Sequence, residues 1–78
     1  MPDVVRLVDM KTGEKGKIRR VNSAGEINRR MRDMGVIPGV FIEVEGRATL
    51  GDPIEIKLMG YHLTLRDNEA GGIEVERQ

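Results

Sequence analysis

Seventy-eight residues with a mass of 8.7 kDa are enough for one small domain, residues 1–78, and leave no room for a second core. The chain has no cysteine, so disulfides, thiolate metal sites and thiol catalysis are excluded together. Its formal net charge is zero, but residues 11–32 hold eight cations against two carboxylates while residues 33–78 hold four against nine, so the chain is electrically two-sided.

Val4-Val5-Arg6-Leu7-Val8 reads as a short strand, followed by a polar reversal over 9–16 punctuated by Gly13 and Gly16. Lys17–Val21 reads as a second strand. Ile18 and Val21 are three apart, so both can be buried only if a bulge at Arg19–Arg20 breaks the alternation. Ser23 with Glu26 three residues on predicts a capping box, and Ala24, Ile27, Met31 and Met34 then line one face of a helix over about 24–34. Gly35 supplies a left-handed cap, with Arg30 and Arg32 in the last turns where the helix dipole favours cations.

Beyond the helix the period drops to two. Pro38-Gly39 suits the centre of a type II turn. Val40, Ile42 and Val44 alternate with Phe41, Glu43 and Glu45, and Ile54, Ile56 and Leu58 alternate with Glu55 and Lys57. A loop over 46–53 joins these two strands. Met59-Gly60 connects to a strand in which Tyr61, Leu63 and Leu65 share a face, then 68–72 makes a turn and Ile73 and Val75 begin a last strand. The expected fold is mainly β: a small, bent, SH3-like barrel of about five strands with one helix. No apolar stretch approaches the roughly 18 residues of a membrane span, and Met1–Asp9 offers no signal-peptide core, so a cytoplasmic chain without membrane insertion is expected.

Chemistry is hard to place. Ser23 reads as a helix cap, the threonines stand alone, and no nucleophile-elbow, phosphate-loop or zinc-protease spacing occurs, so no enzyme is expected. Glu43/Glu45 and Glu74/Glu76 read as solvated strand faces. His62, the one histidine, alternates away from the core. A lone imidazole with scattered carboxylates is a weak candidate ligand that falls short of a dedicated site, so no cofactor is expected beyond weak transition-metal binding. The basic tract holding Arg19, Arg20, Arg29, Arg30 and Arg32 has three readings: a solvated face, a surface for an acidic protein, or a phosphate contact. Two aromatic residues and zero net charge argue against nucleic acid.

At residues 30–39, Arg-Met-Arg-Asp-Met-Gly-Val-Ile-Pro-Gly, the chain closely resembles the FeoA family of small ferrous-iron-transport proteins. Ala48-Thr49-Leu50-Gly51-Asp52-Pro53, Ile54-Glu55-Ile56, Gly60-Tyr61, Leu65-Arg66 and Glu69-Ala70 follow in the family's order, and the match runs from about Leu7 to Val75. Met31 where leucine is usual and Thr49 where proline is common are the departures. The resemblance implies an SH3-like domain similar to the C-terminal domain of diphtheria-toxin-repressor-type regulators. It also implies a non-catalytic cytoplasmic role beside FeoB, the membrane ferrous iron transporter. The alternative is a metal- or nucleic-acid-responsive regulatory domain, which the lack of room for a helix-turn-helix disfavours. The docking features expected on this reading are Arg29, Arg30 and Arg32 with the helix exit Gly35, Pro38 and Gly39, and the loop residues Leu50, Gly51, Asp52 and Pro53. The glycines and prolines among them also satisfy ordinary turn geometry.

Overall fold

The computed structural model describes residues 3–48 and 52–78; Thr49, Leu50 and Gly51 of the expected loop lie outside them. The strands are β1 (Asp3–Arg6), β2 (Lys15–Val21), β3 (Phe41–Arg47), β4 (Ile54–Leu58), β5 (Tyr61–Leu65) and β6 (Ile73–Arg77). Helix α1 is Gly25–Asp33, a short helix α2 is Asp67–Ala70, and a 3-10 turn occupies Leu7–Asp9. All strand pairs are antiparallel, in the order β1-β6-β2-β3-β4-β5. The mainly β expectation holds, with six strands among the described residues where about five were expected. Edge strands β1 and β5 do not pair with each other, so the sheet is barrel-like without being closed.

The first expected strand stops at Arg6. The 3-10 turn that follows brings Leu7 and Met10, three residues apart, both into the core, which a straight strand cannot do. The bulge expected in β2 is present: pairing with β6 shifts between Ile18 and Arg20. A second bulge in β3, between Val44 and Gly46, reverses the alternation beyond it. Arg47 therefore lies opposite the buried Ile54 instead of facing outward with Glu43. Its guanidinium donates from Nη2 to the carbonyls of Val8 and Met10, tying β3 to the 3-10 turn.

The core is aliphatic: Leu7, Met10, Ile18, Met31, Val36, Ile42, Val44, Ile54, Ile56, Leu58, Leu65, Ala70, Ile73 and Val75 are all buried. Ile27, Met34, Val40 and Leu63 pack against it half-buried, so α1 lies over the strand lining as its periodicity requires. Arg77 closes the far edge, donating from Nε to Asp3 Oδ2 at 2.7 Å and from Nη1 to Glu14 Oε2 at 3.2 Å. Asp3 and then Glu14 hold its guanidinium above the ordinary arginine range, so it stays charged.

The helix start departs from the sequence reading. Ala24 holds the N-cap with extended backbone and no side-chain cap bond, and Gly25 enters the helix at φ +59°. The Asn22 amide donates to the Gly72 carbonyl at 2.5 Å, which seats Ser23 against that turn instead of over the first helical amides. The expected turn at 68–72 also differs: it begins as α2, whose Glu69 Oε1 accepts from the Arg66 amide at 2.9 Å.

Candidate functional site

The exit of α1 is built as the sequence implies. Gly35, at φ +87°, donates to Arg32 O at 3.0 Å and Val36 donates to Met31 O at 2.8 Å, the paired bonds of a Schellman cap. Val36 is buried beneath it. Pro38-Gly39 then turns the chain, with Gly39 at φ +96° and Val40 donating to Ile37 O at 3.3 Å. Pro38 and Gly39 are exposed.

A side chain that the sequence placed in a strand, and not among the expected docking residues, fixes this exit. Tyr61, at the start of β5, donates its hydroxyl to the carbonyl of Met34, the C-cap of α1. A Cβ on Gly35 would lie 2.6 Å from Met59 Cε and 2.7 Å from Tyr61 Oη, so both side chains close over the bare glycine. Positive φ and close approach thus both require glycine there.

The three helix arginines divide. All three are exposed; Arg29 lies 3.8 Å from Glu26, and Arg32 has no ion pair among the described residues. Arg30 Nη1 instead reaches Glu69 Oε2 at 3.5 Å. The Glu69 side chain is 8% exposed, and a buried carboxylate needs such partners. From the expected loop, Asp52 Oδ1 accepts from the Asp67 amide at 3.1 Å, and Pro53 O accepts from Ala48. Helix α2 thus touches both expected docking segments, α1 through Glu69 and the loop through Asp67. The signal for Glu69 in the sequence was its spacing from Arg66; its burial had none.

The β2 part of the basic tract is largely answered within the sheet. Arg20 lies opposite Glu74, Lys17 lies opposite Glu76, and Arg19 Nη1 is 3.4 Å from Glu76 Oε2. The acidic second half supplies these partners, which favours the solvated-face reading for β2 and leaves the exposed Arg29, Arg30 and Arg32 on the helix, Arg30 alone of them facing a buried carboxylate. His62 is exposed, its Nδ1 3.6 Å from Glu45 Oε1. Among the described residues no group of three or more potential ligands converges on a metal position, and no helix is long and apolar enough to cross a membrane.

The other feature missed is apolar. Both aromatic residues are outside the core, Phe41 at 56% and Tyr61 at 38% exposure, beside Met59 at 61%. Phe41 was visible as an apolar residue at an outward position of an alternating strand. Met59 stood in the expected two-residue connection Met59-Gly60.

Residues 5–77 match the FeoA domain model. The chain is 38% identical over 72 residues to a Porphyromonas gingivalis protein described as an Fe(2+) transport protein A/Fe(2+) transporter FeoB fusion. That alignment takes in 92% of this chain and 8% of the fusion protein, so the chain spans a small part of that relative's length. The solution structure of a FeoA-like protein from Clostridium acetobutylicum superposes with a TM-score of 0.89 at 36% identity, over 99% of this chain and 90% of that one. A Stenotrophomonas maltophilia FeoA complexed with zinc, described as an SH3 domain protein, shares the fold at 19% identity (TM-score 0.80; 92% and 93% covered). So does a manganese-dependent transcriptional repressor at 20% identity (TM-score 0.90), of which this chain, wholly covered, matches 38%.

Proposed function

Because the chain belongs to the FeoA family, a family linked to ferrous iron transport, we propose that it is a non-catalytic, cytoplasmic accessory of ferrous iron uptake that docks on the cytosolic face of a FeoB-type transporter and shifts its conformational equilibrium. The observation that carries this reading is the fusion relative, in which a homologous domain and FeoB share one chain. Fusion holds two modules at high effective concentration, an arrangement that favours partners whose separate forms must find each other.

The geometry supports docking over chemistry. His62 Nδ1 lies 3.6 Å from Glu45 Oε1, Ser23 is packed against Gly72, and neither is hydrogen bonded to the other. Arg29 and Arg32, with the rigid exit Gly35, Pro38 and Gly39, offer an acidic partner surface long-range attraction at little cost to the core. Arg30 acts at this face through Glu69, by fixing α1 on α2. Asp52 and Pro53 frame the second expected contact, with Leu50 and Gly51 completing that loop in the sequence.

Capture of this chain by the purified cytosolic portion of the transporter, with and without guanine nucleotide, tests the reading. Capture in either state is expected. Absence of capture in both, with retention on nucleic acid instead, would favour the regulatory alternative.

A further inference from the structure

The outer face of β3 and β4 carries a feature that the helix-face reading leaves unused. With Ile42 opposite Leu58 and Glu43 opposite Lys57, the strand ends put Phe41 and Met59 beside each other on that face. Both line one groove of about 210 Å³ together with Lys15, Glu43 and Lys57. That volume is below the roughly 300 Å³ at which small-molecule sites begin, and several times the ~30 Å³ share of one water, so the groove fits a single bulky side chain.

Two independent observations mark it as more than an incidental surface. First, the chain spends neither of its two aromatic residues on its core, and the two most exposed large apolar side chains among the described residues, Phe41 and Met59, fall together here. Second, Met59 is the one non-glycine residue at positive φ, +48°, among the described residues. The turn position suits glycine, asparagine or aspartate; methionine there adds backbone strain, and although its Cε lies over Gly35 its side chain stays 61% exposed. Methionine is instead a frequent contact residue at protein interfaces.

The charge around the groove selects the occupant. Lys17 lies opposite Phe41, and Lys15 and Lys57 both lie opposite Glu43 on neighbouring strands. None of the three lysines has an ion pair among the described residues, and Glu43 and, opposite Lys17, Glu76 are the carboxylates beside them, so the frame holds three ammonium groups to two carboxylates. We infer that Phe41 and Met59, framed by Lys15, Lys17 and Lys57, form a docking surface for a bulky apolar side chain flanked by carboxylates, presented by the cytosolic portion of the transporter. This rests on the accessory reading above and adds an apolar anchor to it, continuous with the helix exit through the Met59 contact at Gly35.

The test titrates that cytosolic portion into the full chain labelled with ¹³C at its methionine methyl groups, and repeats the titration with Met59→Gly and with Lys15→Glu/Lys57→Glu. Glycine suits φ +48°, so Met59→Gly should keep a thermal midpoint at or above wild type, while affinity drops by roughly tenfold or more. The Met59 methyl should shift while those of the buried Met10 and Met31 stay in place, and the lysine reversal should weaken binding and flatten its salt dependence. Wild-type binding with an unmoved Met59 methyl and full affinity in Met59→Gly overturns the groove and leaves the accessory reading standing. No binding by the wild type overturns both. A wild-type dimer that Met59→Gly turns into a monomer makes the groove a self-interface and overturns the assignment to the transporter.

Discussion

The hydroxyl of Tyr61 donates to the carbonyl oxygen of Met34, so an edge strand of the sheet closes the C-terminal end of its one long helix. This bond and the bare backbone of Gly35 form one device, because a methyl group on Gly35 would meet Tyr61 and Met59 at once. Tyr61→Phe should cost about 0.5–1.5 kcal/mol, toward the low end for a residue 38% exposed. Gly35→Ala should cost about 1–3 kcal/mol from the positive φ alone, with crowding in addition. The two should be less than additive, since both loosen the same junction. Denaturant unfolding of the single and double variants measures this; full additivity would separate the two contacts.

Glu69 is the one buried charged residue among those described, and its two oxygens have different tasks. Oε1 accepts the Arg66 amide and Oε2 faces Arg30. Glu69→Gln keeps an acceptor for the amide and should cost less than about 1 kcal/mol. Glu69→Ala leaves that amide without its acceptor and should cost about 1–3 kcal/mol. Equal losses in the two variants would show that the charge, and not the hydrogen bond, is what α2 requires.

Ile56 is fully buried at the centre of the sheet, opposite Val44 on one side and Leu63 on the other. Ile56→Ala should lower stability by about 2–4 kcal/mol, measured as a shifted denaturant midpoint at unchanged slope. A loss below that range would mean the neighbouring strands collapse into the space.

Much of this was legible because the deciding interactions are local. The Gly35 cap, the Pro38-Gly39 turn, the Met59-Gly60 hairpin and the bulge after Ile18 each follow from backbone chemistry within a few residues. The parts that were not legible are settled by distant chain. Ser23 loses its capping role because Asn22 is bonded to Gly72, fifty residues on. Helix α2 has four residues and no periodicity to reveal it. Arg47 faces inward because a single bulge at Gly46 shifts the alternation by one, which the pattern of side chains in 41–47 does not announce. Of the candidate site, the backbone turns of the helix exit were legible, while Tyr61, Glu69 and the Phe41–Met59 groove depend on strands and helices brought together by the fold.

Metal binding by the isolated chain should be weak. His62 faces one carboxylate, Glu45, and is exposed. Zinc or ferrous ion titrated under anaerobic conditions should give no stoichiometric site in the submicromolar range. Such a site, lost in His62→Ala, would contradict this.

Docking on the transporter is the central claim, and calorimetric titration of its cytosolic portion with this chain at low and high salt tests it most directly. The account predicts binding that weakens as salt rises, and a further loss of roughly tenfold or more in Arg29→Glu/Arg32→Glu at a nearly unchanged thermal midpoint, since both side chains are exposed. No binding at either salt, with or without guanine nucleotide, would contradict it.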